Sequence, residues 1–278
     1  MDLRDRLGDP LALAAARVVA HAAVQPLSRA ARANLEKAPD DSHSNLGWSL
    51  ERAMFVTHPL DAAGHMAGLR LAPLTMTFLR GDQVVDDLPL AGVGLAAAET
   101  WLDAQLAGAG LNPAAAVKTP YALPEDVAAV TAFGQDHAGL THLATWFALA
   151  AASLGAFADG LSVDLAPGPS PVRCWPHHFD IATYVGLAAG DPETAAGIGV
   201  GLSPGDQSYD QPYFYVNPWP HMDPQSLPQA VRPGHWHRTG FVGMVATGAE
   251  ILSLTDIRAA TEAFLCASFD AGRSAIGA

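Results

Sequence analysis

Two short segments in the second half of the chain combine residue types that could carry chemistry. One contains His178 and Asp180, and the other contains His235 and His237. Side chains alternate between the two faces of a β-strand, so each pair would project from one face. Imidazole and carboxylate groups that converge from neighbouring strands are typical ligands of zinc, iron or manganese. The spacing therefore predicts a divalent transition metal bound by His178, His235 and His237, with Asp180 as a ligand or an orienting group.

The same residues also suggest chemistry without a metal. Asp180 could hold His178 in the tautomer that acts as a general base, which makes both residues candidate catalytic groups. Cys174 is close to them in the sequence and could be a nucleophile, although a lone cysteine in a strand is more often a small buried hydrophobic residue. Alternatively, the histidines are surface or interface residues beside proline-rich loops.

A row of aromatic residues marks a second candidate site. Tyr213, Tyr215, Asn217 and Trp219 occupy alternate positions, and therefore one face, of a predicted strand. Aromatic walls with one orienting amide are typical of a cleft that binds a small molecule. They are equally typical of a cross-strand aromatic cluster that only stabilises a sheet.

Familiar phosphate-binding and hydrolase signatures are absent from the sequence. There is no Gly-x-Ser-x-Gly elbow, no phosphate loop ending in Lys-Ser/Thr, and no Gly-x-Gly-x-x-Gly between a strand and a helix. Gly197, Gly199 and Gly201 alternate on a predicted strand, which indicates close backbone packing rather than phosphate binding. Three functions stay open: an enzyme built on the histidine pairs, a non-catalytic binder of small molecules that uses the aromatic row, and a structural protein whose histidines lie in a homo-oligomer interface.

Charge and cysteine content restrict the partners and the compartment. The chain has 15 basic and 28 acidic residues and a formal net charge of −13, which argues against nucleic-acid or anionic membrane partners. Its two cysteines, Cys174 and Cys266, form no disulfide framework and match no zinc motif. The N-terminal residues lack the positive start and uninterrupted apolar core of a secretory signal. The expected location is therefore the cytoplasm.

Hydrophobic periodicity predicts an α+β fold with mainly antiparallel strands. The predicted parts are an N-terminal helical segment (1–45) interrupted at Pro26, a first strand-helix lobe (46–124), central helices (125–165), and a second strand-helix lobe (166–278) that carries the site. Both lobes read as strands followed by an amphipathic helix, so an ancient duplication would explain their order. The predicted strands are 48–57, 69–79, 83–88, 172–185, 195–202, 212–219 and 235–247, and the predicted helices that end the lobes are 94–106 and 255–271, the second capped by Thr255.

The segment 138–158 is long enough to cross a membrane and contains no Asp, Glu, Lys or Arg. It is mostly alanine, however, and acidic residues rather than basic ones flank it. The composition therefore favours a buried core helix, with Trp146 in the core and His142 hydrogen-bonded there or at its edge.

Three motifs carry a resemblance to a known family. They are Ser170-Pro-Val with the following Trp and Phe-Asp-Ile-Ala, the turn Gly201-Leu-Ser-Pro-Gly205, and Pro212-Tyr-Phe-Tyr with the following Pro-Trp-Pro. In this order and spacing the chain resembles an uncharacterised bacterial family, domain of unknown function 5996, most clearly over residues 170–220. Small residues can stand in that family where this chain has His177 and His178. The resemblance implies a soluble bacterial protein without an established activity.

Overall fold

The structure is a computed structural model that describes residues 2–134, 138–161, 165–190 and 194–277. These residues divide into two compact units that interleave along the chain. The N-terminal unit consists of residues 12–148 and 173–179, and the C-terminal unit consists of residues 1–11, 149–172 and 180–278. These units differ from the predicted division after residues 45, 124 and 165, because segment 173–179 belongs to the N-terminal unit and the first residues belong to the C-terminal unit.

The predicted α+β class is confirmed, since two antiparallel sheets occur with several helices. The strands are β1 (Gly47–Ser49), β2 (Met54–Val56), β3 (His65–Arg70), β4 (Thr75–Arg80), β5 (Gln83–Pro89), β6 (Gly168–Pro169), β7 (Arg173–Trp175), β8 (Asp180–Gly186), β9 (Gly197–Ser203), β10 (Tyr213–Trp219), β11 (His235–His237) and β12 (Gly243–Thr247). The α-helices are α1 (Leu3–Leu7), α2 (Ala14–Asn34), α3 (Leu95–Gly108), α4 (Glu125–Ala128), α5 (Ala138–Gly160), α6 (Gly248–Leu252) and α7 (Ile257–Ala275), and short 3-10 turns occur at Pro10–Ala12, Ser42–Ser44 and Ala114–Ala116.

The N-terminal unit contains a five-stranded antiparallel meander in the order β1-β2-β3-β4-β5. Most of β4 is buried, whereas β5 is largely exposed at the sheet edge. A tight turn at Gly81-Asp82 joins β4 to β5, and Gly81 has a φ of 55°, which favours glycine. Strand β7 joins this unit through paired backbone hydrogen bonds between Leu46 and Cys174, at 2.9 and 2.8 Å.

Helix α2 is the longest helix that lies wholly within the N-terminal unit, and it corrects one prediction. Pro26 was expected to interrupt it, but the helix continues from Ala14 to Asn34. Proline removes one backbone hydrogen bond and disturbs the preceding turn. Most residues from Ala20 to Ala31 are buried, so packing of this face offsets the local cost of the proline.

The C-terminal unit is organised around an antiparallel sheet in the order β11-β12-β10-β9-β8-β6. Phe214, Val216 and Pro218 on β10 lie on the buried face, and Pro218 contacts α7 near Gly272. Helix α7 begins one residue later than predicted, because Asp256 rather than Thr255 accepts a hydrogen bond from a first-turn N–H. The predicted strand 235–247 is instead two strands, β11 and β12, that pair with each other.

Helix α5 confirms the prediction of a buried central helix. Trp146 is fully buried, and His142 is half-buried. In the part of the chain that the structure describes, Gly139–Gly160 is the single helix with the length and hydropathy of a membrane span, and 61% of its most apolar window is buried inside the protein. This burial is typical of a core helix in a soluble protein. Of the predicted central helices (125–165), α4 already ends at Ala128, and residues 135–137 and 162–164 lie outside the described residues.

Candidate functional site

A tight turn corrects the prediction that His178 and Asp180 share a strand face. Residues 176–179 form this turn between β7 and β8, and the carbonyl oxygen of Trp175 accepts hydrogen bonds from the N–H groups of His178 at 3.2 Å and Phe179 at 2.7 Å. Phe179 has a φ of 61°, which breaks the alternation of side chains. Pro176 has no N–H to continue a strand ladder. His178 therefore belongs to the N-terminal unit, while Asp180 begins β8 in the C-terminal unit.

His235 and His237 lie together on β11, as predicted, but both ring nitrogens of each already have polar partners. His235 Nε2 is 3.0 Å from Tyr209 Oη, and its Nδ1 is 3.4 Å from Glu250 Oε1. His237 Nδ1 is 2.9 Å from the same Tyr209 Oη, and its Nε2 is 2.5 Å from the Thr239 carbonyl oxygen. Neither imidazole presents a nitrogen that is committed to nothing else.

The residues present do not fit the predicted metal. Among residues 2–134, 138–161, 165–190 and 194–277, no three His, Cys, Asp or Glu side chains are grouped closely enough to hold a metal ion. His178 also lies in the other compact unit from His235 and His237. A metal site on these three histidines would need three ligands to converge at about 2.0 to 2.1 Å.

The predicted aromatic row does form one face of a strand. Burial alternates along β10: Tyr215, Asn217 and Trp219 are half-buried, and Val216 and Pro218 between them are buried. Tyr213, at the start of the row, is itself buried. This row lies on the face of the sheet opposite α7, and we call that face the tyrosine face.

Glycines on the neighbouring strand make room for two tyrosine rings. A Cβ atom on Gly197 would lie 2.2 Å from Tyr184 Oη, and a Cβ atom on Gly201 would lie 2.6 Å from Tyr215 Oη. Real Cβ atoms do not approach other atoms this closely, so each ring lies across the backbone of a glycine. The alternating glycines, expected to indicate close backbone packing, therefore pack against rings from β8 and β10.

The middle glycine has space above it. The nearest atoms to a Cβ on Gly199 would be the Asn217 carbonyl oxygen at 3.8 Å and Tyr215 Cε2 at 4.0 Å, both ordinary contacts. Tyr184 and Asn217 are the cross-strand neighbours of Gly199 on either side. Since both flanking rings lean toward the outer glycines, a slot opens above Gly199. We call it the glycine slot.

Polar groups neighbour the glycine slot on the tyrosine face. The Tyr215 hydroxyl donates to Asp180 Oδ2 at 2.5 Å and so fixes the position of the ring. Asn217 Oδ1 is buried and has no hydrogen-bond partner within the described residues. A buried carbonyl oxygen without a donor is uncommon and costs free energy. The slot therefore combines aromatic walls with an amide oxygen that can still accept a hydrogen bond.

A second polar network continues along the tyrosine face. The Tyr213 hydroxyl donates to Asp206 Oδ2 at 2.6 Å, and the rings of Tyr209 and Tyr213 lie 4.8 Å apart. Burial raises the pKa of Tyr213, and the hydrogen bond to Asp206 and its negative charge raise it further. Burial also raises the pKa of Tyr209, with added contributions from Glu250 and Asp206. Both hydroxyls therefore remain protonated donors at neutral pH.

The N-terminal cap of α6 positions Glu250, an acidic residue of this network. Thr247 is the N-cap of α6, and Glu250 accepts hydrogen bonds from its N–H at 2.8 Å and from its hydroxyl at 2.9 Å. This capping box fixes Glu250 beside His235. The residues predicted from sequence patterns do not include Glu250, Tyr209 or Asp206. The Thr-x-x-Glu pattern that follows β12 was the available signal for Glu250.

Comparison of the chain with protein families, with curated proteins and with solved structures finds no significant match. The resemblance to domain of unknown function 5996 therefore stays a prediction.

Proposed function

We propose that the protein binds a small organic molecule in the glycine slot of the C-terminal unit. The observation that carries this proposal is the space above Gly199 between Tyr184 and Tyr215, beside the unpartnered Asn217 Oδ1. Binding pockets typically combine aromatic walls with a few orienting polar groups. This is the second of the three functions that the sequence left open, and it needs no metal.

The polar groups at the slot indicate the chemistry of the ligand. Asn217 Oδ1, on the cross-strand neighbour of Gly199, is an acceptor, so the ligand should offer an N–H or O–H donor. The Tyr184 and Tyr215 rings favour a flat, partly apolar body that can lie against them. A cationic amine is compatible with both features, because it donates N–H bonds and aromatic rings attract cations. We therefore propose an aromatic or cyclic amine or alcohol as the ligand class.

Acid-base catalysis on the tyrosine face, further along from the slot, is the second candidate function. The 2.5 Å hydrogen bond between Tyr215 Oη and Asp180 Oδ2 joins a donor and a carboxylate that could exchange a proton with a bound ligand. Asp180, one of the two predicted catalytic residues, keeps a role in this version, whereas His178 does not. Conversion of a bound ligand, followed by mass spectrometry, would distinguish the enzyme from the binder.

The cellular setting is part of the proposal. We place the protein in the bacterial cytoplasm because its two cysteines form no disulfide framework. Its net charge of −13 favours a small-molecule partner over nucleic acid or an anionic membrane. If the protein is instead a structural protein, copies of it should associate through strand β11, which carries His235 and His237. Analytical ultracentrifugation tests this self-association.

Filling the slot tests the proposal directly. Gly199→Leu places a side chain where a Cβ meets no atom closer than 3.8 Å, so it should fill the slot without disturbing the strands. A thermal-shift screen of aromatic and cyclic amines and alcohols should find compounds that raise the melting temperature of the wild-type protein. Gly199→Leu should abolish these shifts.

The matched control is Val84→Leu, which enlarges an exposed strand residue in the N-terminal unit. It should leave every ligand-induced shift unchanged. Equal shifts in the wild type and in Gly199→Leu would contradict binding in the slot, as would a complete screen without any stabilising compound.

A further inference from the structure

A second polar cluster, in the N-terminal unit, begins with a row of side chains along α2. Arg17, His21, Gln25, Ser28 and Arg32 are spaced by three or four residues and therefore share one side of an otherwise alanine-rich helix. His21, Gln25 and Ser28 are only 4%, 5% and 1% exposed. Polar side chains are rarely buried to this extent without a specific reason.

Hydrogen bonds within the N-terminal unit explain the burial of His21 and Gln25 in this row. The carbonyl oxygen of Pro176 lies 2.9 Å from His21 Nε2 and accepts a hydrogen bond from Gln25 Nε2 at 2.8 Å. The Tyr121 hydroxyl donates to Gln25 Oε1 at 2.9 Å. His21 and Gln25 therefore fasten the helix to the turn at 176–179 and to the segment that carries Tyr121.

Near Arg32, at the end of the row, guanidinium N–H donors outnumber the acceptor oxygens that they contact. Arg32 Nη1 pairs with Asp41 Oδ1 at 3.1 Å, and Arg29 Nη2 pairs with Glu99. The Nε atoms of both arginines are nevertheless buried and have no hydrogen-bond partner in the described part of the chain. A guanidinium group has five N–H donors and no acceptor, so it is satisfied only by oxygens around it. Two unsatisfied guanidinium donors one helical turn apart need an acceptor that the described residues do not supply.

Aromatic and imidazole groups stand beside these donors. The guanidinium carbon of Arg32 is 5.9 Å from the centre of the Tyr121 ring, and the centres of the Tyr121 and His177 rings are 5.6 Å apart. His177 is half-buried. The Tyr121 hydroxyl already donates a hydrogen bond to Gln25, so its ring forms a wall while Arg32 and His177 supply the polar contacts.

The pKa of His177 reports the charges that surround it in this cluster. Burial, together with the neighbouring His178, Arg32 and His21, lowers the pKa of His177 to about 4, against the opposing charge of Asp41. His177 is therefore a neutral imidazole at neutral pH, and it can donate one N–H. Arg32 lowers this pKa by more than Asp41 raises it, so the positive charge of Arg32 dominates at His177 although the whole chain carries a net charge of −13.

We propose that Arg32, Tyr121 and His177 form a site for an oxyanion, the carboxylate or phosphate group of a small molecule. Arg32 contributes its charge and its unpartnered Nε–H, His177 contributes a neutral N–H, and Tyr121 forms the wall. Oxyanions have several acceptor oxygens in a geometry that matches a guanidinium group. The site is independent of the glycine slot, and neither proposal needs the other.

The test uses the full chain labelled with nitrogen-15, with inorganic phosphate and acetate as probes and sodium chloride at equal ionic strength as the control. The Nε–H signal of Arg32, assigned through its loss in Arg32→Lys, should shift in a saturable way with phosphate, acetate or both, and should not shift with chloride. A larger response to one probe identifies the class of oxyanion. An Arg32 signal that stays unchanged up to about 50 mM of both probes, far above a millimolar dissociation constant, would overturn the proposal.

Variants provide the second readout. Isothermal titration should show that Arg32→Lys weakens binding by about tenfold, because lysine keeps the charge but loses the planar donor set. His177→Gln keeps one N–H donor and should weaken binding less, while Arg258→Lys in the exposed pair with Glu262 should leave it unchanged. If Arg32→Lys does not fold, His177→Phe replaces it as the variant expected to lose affinity. Equal affinity of the wild type and both His177 variants would contradict the site.

Discussion

The tyrosine face and the α2 cluster differ in the kind of polar group that lacks a partner. On the tyrosine face the described unpartnered atom is an acceptor, Asn217 Oδ1, and the tyrosine hydroxyls already donate to Asp180 and Asp206. In the α2 cluster the unpartnered groups include guanidinium donors of Arg29 and Arg32. Each region therefore favours a ligand that the other would reject.

This difference shows that net charge is a poor guide to individual sites. The value of −13 correctly describes the whole chain, yet the α2 cluster gathers arginine and histidine around one tyrosine. Coulomb interactions at a buried site depend mainly on groups within several ångströms, because solvent screens distant surface charges.

The largest effect of a single substitution should fall outside both regions. Trp146 is fully buried in α5, and Trp146→Ala should lower the free energy of unfolding by about 3 to 5 kcal/mol through lost contacts and a cavity. Urea unfolding followed by circular dichroism measures it. Ala156→Gly, a small change in the same helix, should cost about 1 kcal/mol and serves as the control. A loss below about 1 kcal/mol for Trp146→Ala would mean that α5 is not the packed core helix described.

The tyrosine face should lose stability when its best hydrogen bond is removed. Tyr215→Phe deletes the hydroxyl that donates to Asp180 at 2.5 Å and leaves the ring in place. A hydrogen bond to a charged group contributes about 1.5 to 3 kcal/mol, so urea unfolding should show a loss of that size. Tyr184→Phe is the matched control, since its hydroxyl makes only a 3.5 Å contact, and it should change stability by less than about 0.5 kcal/mol. Similar losses in the two variants would contradict a special role for Tyr215.

The α2 cluster should make stability depend on pH between about 4 and 6.5. Burial lowers the pKa of His21 to about 4, so the folded protein keeps this imidazole neutral while the unfolded chain takes up a proton below about pH 6.5. Stability is therefore complete above about pH 6.5 and falls as the pH drops toward about 4. Lowering the pH from about 7 to about 5 should therefore reduce the free energy of unfolding by about 2 kcal/mol through His21 alone.

His21→Gln removes the titrating group while keeping a side chain that can donate to Pro176. Urea unfolding at both pH values should show that the variant loses about 2 kcal/mol less than the wild type on acidification. His221→Gln, at an exposed residue of the C-terminal unit, should lose as much as the wild type. Identical acid sensitivity of all three proteins would show that His21 is not held neutral by the fold.

The smallest expected effect compares two glycines of one strand. Gly201→Ala brings a Cβ within 2.6 Å of the Tyr215 ring and 2.8 Å of Ala182 Cβ, so it should cost about 1 to 2 kcal/mol. Gly199→Ala meets only ordinary contacts and should be neutral within about 0.5 kcal/mol. Thermal unfolding of both variants measures the difference. Equal melting temperatures would mean that the Tyr215 ring does not lie across Gly201.

Alternation along strands made part of the site predictable. The pattern of β10 correctly put Tyr215, Asn217 and Trp219 on one face, and His235 and His237 do share β11. The metal hypothesis extended the same rule across the turn at 176–179, where it fails. A proline and a left-handed Phe179 end the alternation, and a sequence pattern does not show which backbone will adopt such a φ.

The sequence by itself determined the α+β class, the antiparallel strands and the buried central helix, because these depend on periodicity and composition within short segments. Only the tertiary structure decided which polar atoms found partners. Tyr209 reaches β11 from a loop, and Tyr121 meets Gln25 across 96 positions of sequence. Such contacts join residues with no local relationship in the chain, and each exists because a buried polar group must find a partner wherever the fold places one. Exceptions among the described residues, such as Asn217 Oδ1 and the Arg32 Nε–H, became visible only once those partners were known.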